Sequence, residues 1–171
     1  CLSPNCGGYT LEAELGITPN GYSEPDYLGW EVKQFGVKSF DQINSSVITL
    51  MTPEPTDGIY KTEGVEAFLR KYGYKDKTGR PDRINFGGIH KCSVLHGSTK
   101  LEMKLIGFDV GLGKIRNVNG RIALVDQSGN EAASWSFSSL FLHWNRKHNQ
   151  ACYVPSLSSI DNNRKYRFGD K

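Results

Sequence analysis

Apolar positions along the chain follow two periods. Val65, Phe68, Leu69 and Tyr72 recur at helical spacing, with Glu63 and Glu66 early, Arg70 and Lys71 late, and Gly73 beyond the last turn. This predicts an amphipathic helix with Thr62 as its N-cap. Leu11 and Leu15 share a shorter stripe, for which Thr10 supplies a cap and Gly16 a left-handed exit. A third helix starts at Ser138 or Ser139 and carries Leu140, Phe141 and Trp144, with His143, Arg146, Lys147 and His148 on or near its polar side. Strand-like runs lie at 28–35, 47–52, 84–90, 100–110 and 121–126, and Cys152-Tyr153-Val154 reads as a closing strand. The run at 47–52 is apolar enough to be buried in mid-sheet. Turns fall at Gly97, at Gly111-Leu112-Gly113 and at Asn119-Gly120. Leu101, Met103 and Leu105 alternate, then the phase shifts to Ile106, Phe108 and Val110, which predicts a bulge or a strand that changes partners. Trp135 and Phe137 alternate on a strand and Trp144 lies on a helix stripe, so all three are read as core. The chain closes on Tyr166–Lys171, a strand entering a turn. No internal repeat is visible. The fold class is α/β (α+β), a mixed β-sheet flanked by helices.

One polar pattern stands out from this frame. Asp26, Glu31 and Lys33 lie within one hairpin's reach in Pro25-Asp26-Tyr27-Leu28-Gly29-Trp30-Glu31-Val32-Lys33. On a strand, residues two apart project to one face, so Glu31 and Lys33 stay free while Trp30 and Val32 anchor the other side. A tight bend or bulge at Gly29 would bring Asp26 back over the same spot. Two carboxylates and the main-chain carbonyl of Val32 offer hard oxygen ligands to Mg²⁺, and the Lys33 ammonium can place a water and offset charge on a phosphate. Phosphodiester hydrolysis needs these groups. Spacing alone is weak support, since an acid, four spacers, an acid, one spacer and a lysine arise by accident in roughly one chain in twenty-five of this length.

The surrounding string is far more specific. Gly7-Gly8-Tyr9-Thr10-Leu11-Glu12-Ala13-Glu14-Leu15-Gly16-Ile17, a Pro/Asn/Gly turn, and then Glu24 to Val37 resemble the MvaI/BcnI restriction endonuclease family. Ile48-Thr49-Leu50-Met51-Thr52-Pro53-Glu54-Pro55 extends the likeness to about residue 57 as the family's next strand. The resemblance implies a PD-(D/E)xK core and an active site of Asp26, Glu31 and Lys33, none of them substituted. Likeness to the related MutH nicking endonuclease nominates Glu12 as a further residue beside the metal. It also implies cleavage of double-stranded DNA at a short site with Mg²⁺, by monomers that cut one strand at a time, and longer relatives with part of their base-reading surface downstream. A repair-type nicking endonuclease governed by a partner, and a DNA-binding module that does not cut, are the alternatives.

Size and charge leave this reading open without demanding it. The 171 residues suit one domain, 1–171, which the missing initiator methionine marks as excised from something longer. Eight Phe, eight Tyr, three Trp and 19 Gly suggest a turn-rich sheet protein. A net charge of +3 tolerates a polyanion. No apolar run approaches a membrane span, and a cytoplasmic setting is expected. Cys1 and Cys6 are read as free thiols, and Cys92 and Cys152 as buried small hydrophobes. The four histidines, His90, His96, His143 and His148, lack metal-ligand spacing and are read as surface or capping groups. Candidate phosphate contacts are Arg80 and Arg83 in the basic loop 74–83, His90 with Lys91, and Lys114 with Arg116 after Gly113, although plain exposed connectors are the favoured account of the loops 74–83 and 113–116. Neither glycine cluster completes a nucleotide-binding fingerprint, so no nucleotide cofactor is expected.

Overall fold

The bend expected at Gly29 is a two-residue reversal. Tyr27 and Trp30 exchange main-chain hydrogen bonds of 2.9 and 2.8 Å, and both central residues, Leu28 (φ 48°) and Gly29 (φ 83°), have positive φ. A tight hairpin turn of that hand suits the right-handed twist of the strand it feeds. The computed structural model describes residues 5–18, 24–41, 43, 47–163 and 166–169. In chain order the elements are α1 (Cys6–Glu14), β1 (Glu31–Gly36), α2 (Ile59–Thr62), α3 (Gly64–Tyr72), β2 (Tyr74–Lys75), β3 (Ile84–Asn85), β4 (Glu102–Ile106) and β5 (Phe108–Asp109). They continue with β6 (Lys114–Ile115), β7 (Arg121–Val125), β8 (Glu131–Ser136), α4 (Phe137–His148), β9 (Ala151–Ser156), β10 (Ser158–Ile160) and β11 (Tyr166–Phe168). The α+β class is borne out by these helices and strands.

The chain divides into two compact units, one comprising residues 1–52 and 143–171 and the other 53–142. In the first, β1 pairs in parallel with β9, from Glu31 opposite Ala151 to Gly36 opposite Ser156, and α1 packs on β1. Gly7 sits so close to the Gln34 side chain that a Cβ would collide with it. The helix starts earlier than its sequence suggests. Thr10 lies inside it, its hydroxyl donating to the Cys6 carbonyl at 2.8 Å instead of capping. The left-handed exit at Gly16 (φ 72°) is present, with Ile17 N–H bonded to the Glu12 carbonyl at 2.8 Å and Gly16 N–H to that of Ala13 at 3.1 Å. Expected strand 28–35 begins only at Glu31 because the turn consumes its first residues. The strand expected at 47–52 does not form among the described residues 47–52, and Val47 is 85% exposed.

In the second unit, β4, β7 and β8 form an antiparallel sheet whose core joins Leu101, Leu124, Ala132 and Ala133 to Phe68 and Tyr72 of α3. The predicted helix is therefore real. Its start differs, because Thr62 closes α2, donating to the Gly58 carbonyl at 3.1 Å, and α3 opens only at Gly64 (φ 89°), after Glu63. The phase shift after Leu105 proves to be a change of partner: Gly107 (φ 74°) separates β4, which pairs with β7, from β5, which pairs with β6. The run at 84–90 shortens to Ile84–Asn85. Trp135 packs against the core, its indole N–H donating to the Pro53 carbonyl at 2.9 Å. Phe137 is the first residue of α4, not a strand residue. The cap of α4 is Ser136, whose Oγ accepts from Ser139 N–H at 3.2 Å, where Ser138 or Ser139 was expected.

Two cysteine expectations are overturned. Cys6 is disulfide-bonded, and Cys92 and Cys152 are free but exposed, because neither side chain is turned toward a core; Cys1 lies outside the described residues. Leu101 is fully buried at the centre of the second unit's core. Leu101→Ala is expected to cost about 2–5 kcal/mol, read as a lowered urea midpoint with an unchanged slope.

Candidate active site

The candidate residues come together within the first unit. Val32 N–H donates to Asp26 Oδ2 at 3.1 Å, so the turn at Leu28-Gly29 folds Asp26 back beside the strand. Glu31 N–H, by contrast, bonds to the Gln150 carbonyl at 2.9 Å, on the β9 side. A residue's N–H and C=O leave a strand on the same side, so the Val32 carbonyl lies on the Asp26 edge of β1, away from β9. Local sequence thus fixes Asp26, Val32 and Glu31 in one short stretch.

Glu31 corrects the expectation of a free, solvated carboxylate. It is 0% exposed, whereas Trp30, taken as an anchor, is 45% exposed. The ammonium of Lys33 lies 2.5 Å from Glu31 Oε1, and that of Lys147 lies 3.4 Å from the same oxygen. Both Glu31 oxygens are buried and neither accepts an aligned hydrogen bond among the described residues. Burying a lone carboxylate is costly, and two flanking ammoniums compensate the charge without filling the oxygen lone pairs. Lys147 was missed in the sequence as a site residue. Its position within Arg146-Lys147-His148 suggested only a solvated helix face. The signal that places it is long-range: β9 runs parallel to β1 with Ala151 opposite Glu31, so the end of α4 arrives at the start of β1.

Glu12, on α1, completes the group. Its Oε2 is buried without a hydrogen-bond partner among the described residues, and burial, joined by the Asp26 and Glu31 carboxylates, raises its pKa against the lowering effect of Lys33 and Lys147. A cleft of about 380 Å³ opens here, lined by Gly8, Tyr9, Glu12, Val32, Lys33 and Thr49 among others. No three His, Cys, Asp or Glu side chains converge as a metal cluster among the described residues. The oxygen set is of another kind: two carboxylates, Asp26 and Glu31, with a main-chain carbonyl from Val32. The buried Glu31 oxygens, which lack aligned hydrogen bonds, together with the half-buried Asp26 carboxylate fit a hard divalent cation.

The other candidates are scattered and belong to the second unit. Arg80 and Arg83 are exposed around the β2–β3 hairpin, where Asp76 anchors the turn through Thr78 and Asn85, bonds that hold its carboxyl down at about 2. Lys114 and Arg116 are exposed at β6, Arg116 lying 3.4 Å from Asp109. Lys91 is exposed, but His90 is turned inward: its Nε2 lies 2.8 Å from the buried Thr99 hydroxyl, which His96 Nδ1 also meets at 3.1 Å. Burial, with His96 nearby, lowers the His90 pKa and favours a neutral ring. Of the two alternatives, surface or capped, these two and His148 are the capped one, His148 being buried with Nε2 2.6 Å from the Leu50 carbonyl.

The fold is that of a restriction endonuclease. It superposes on a solved structure described as "Restriction endonuclease MvaI-cognate DNA substrate complex" with a TM-score of 0.68 and 19% sequence identity, covering 99% of this chain and 64% of that one. Residues 5–171 match the MvaI/BcnI restriction endonuclease family, and the chain belongs to that family. No curated protein sequence matches it.

An acid whose folded pKa is raised destabilises the fold wherever it is ionised and ceases to do so once it is protonated in both states. Glu12→Gln is therefore expected to raise the melting temperature of the metal-free protein at pH 7. The gain should vanish as pH falls below the ordinary value of 4.5. Parallel melting curves of the two proteins across that range check it.

Proposed function

We propose that residues 1–171 act as one nuclease domain, a Mg²⁺-dependent type II restriction-like endonuclease that hydrolyses phosphodiester bonds of duplex DNA at a short specific site. The observation that carries this reading is the buried Glu31 carboxylate, held by Lys33 beside Asp26 and Glu12 in a chain of this family. Asp26, Glu31 and the Val32 carbonyl would hold the cation. What the cation supplies is positive charge beside the scissile phosphate and a more acidic water. Lys33 orients that water through its rotatable N–H donors and offsets negative charge growing on the phosphoryl oxygens. Glu12, whose burial favours the protonated form, is suited to hold a proton at the edge of the same site.

Arg80, Arg83, Lys91, Lys114 and Arg116 are available to phosphates, and each contact made would release condensed counterions and steepen the salt dependence of binding. His90 is not retained among them. The DNA complex of the similar structure supports a duplex substrate, and we place the enzyme in the cytoplasm, where it would meet one. One subunit suffices for the nicking chemistry, because every proposed catalytic group comes from this chain.

Plasmid digestion tests the reading. Wild-type protein should give discrete bands with Mg²⁺ and none with a chelator. Lys33→Ala should still retard duplex in a gel while cutting at least a hundredfold more slowly, about 3 kcal/mol in the barrier. Unchanged turnover in that variant would remove Lys33 from the chemistry. Nicks that accumulate only with an added partner would favour a repair-type enzyme, and retardation without cutting a binding module.

A further inference from the structure

Two ammoniums share one carboxylate oxygen in this site, which is one cation more than the charge of Glu31 requires. The second is firmly delivered. Lys147 lies in the last turn of α4, which is pinned by its neighbour His148: the ring is 4% exposed, donates from Nε2 to the Leu50 carbonyl at 2.6 Å, and stacks on Trp144 at 4.6 Å between ring centres. Two residues on, the Gln150 carbonyl accepts from Glu31 N–H. The Lys147 side chain is 21% exposed, so it is not locked in the interior as Glu31 is.

We propose that Lys147 is an exchangeable counter-ion. Together with Lys33 it offsets Glu31 and the neighbouring carboxylates while these hold no metal, and it transfers to a phosphate oxygen of the DNA when a divalent cation takes Glu31. This rests on the nuclease reading above only for its second half. The physical ground is competition. A positive charge 3.4 Å from a ligand oxygen opposes entry of a second, doubly charged cation, and relief comes when the long, flexible lysine swings away to a new anion. Lys33, at 2.5 Å from the same oxygen, keeps Glu31 compensated during the exchange. No bond is made or broken; a singly charged ammonium leaves as a doubly charged cation arrives, so the carboxylates gain one net positive charge.

Two measurements decide it, both made on the whole chain. In the first, calorimetric titration with Ca²⁺ alone, Lys147→Met should bind about tenfold more tightly than wild type, because the competing charge is gone. Its cleavage at saturating Mg²⁺ should nonetheless fall about a hundredfold, and Lys147→Arg should restore both toward wild type. A residue that merely supports the fold would weaken both together, and equal or weaker Ca²⁺ affinity in Lys147→Met overturns the proposal. The second uses wild type alone and does not depend on a variant folding. Amine acetylation read by mass spectrometry should modify Lys147 several-fold faster with Ca²⁺ than without it, and an unchanged rate overturns the proposal. If wild type fails to cut DNA at all, the nuclease reading falls by itself, and the Ca²⁺ affinities and labelling rates still decide whether Lys147 is the counter-ion of Glu31.

Discussion

The site depends on the burial of one negative charge. Glu31 is the first residue of β1, has no exposed surface, and lies within ion-pair distance of two ammoniums. A carboxylate in that position is tolerated only with compensation, and compensation recruits distant parts of the chain. Lys33 is two residues away on the same strand. Lys147 is brought by α4 and by the parallel pairing of β9 with β1. Packing α1 on β1 then sets the Glu12 carboxylate near the same group, where burial raises its pKa. The first unit is built so that several like and unlike charges meet around one buried carboxylate, an arrangement that does not serve stability.

Much of this was legible because it is local. Asp26, Glu31 and Lys33 fall within eight consecutive positions, and the geometry that joins Asp26 to Val32 needs only the reversal at Leu28-Gly29. Gly29 made that bend readable from sequence. The α3 stripe and the partner change at Gly107 were readable for the same reason, since each reflects a period or a glycine within one short segment. The family, too, was legible in the first forty residues, and the match over residues 5–171 extends it through the chain.

What escaped was set by contacts remote in sequence. A solvated Glu31–Lys33 face is the ordinary outcome of alternating charges on a strand, whereas Glu31 is buried here and the arrival of α4 and β9 at the start of β1 makes Lys147 relevant. The run at 47–52 has the composition of a buried strand, yet Val47 and Leu50 are exposed and the Leu50 carbonyl is engaged by a histidine ring. For His90 and His96 a surface and a capped role stayed open, because the partner they share, the Thr99 hydroxyl, lies across a turn that spacing rules for metals do not consider. Capping residues were displaced by a few positions at α1, α3 and α4, where serine and threonine near a helix start compete for several roles.

Substitution of Glu31 by its neutral isostere tests the central claim most directly, because it removes the charge and little else. Glu31→Gln should keep the fold, read by near-ultraviolet circular dichroism, and should bind Mn²⁺, followed by its electron paramagnetic resonance signal, at least tenfold more weakly than wild type. It should also lose metal-dependent scission of plasmid DNA. Wild-type Mn²⁺ affinity and wild-type cutting in that variant would contradict the account.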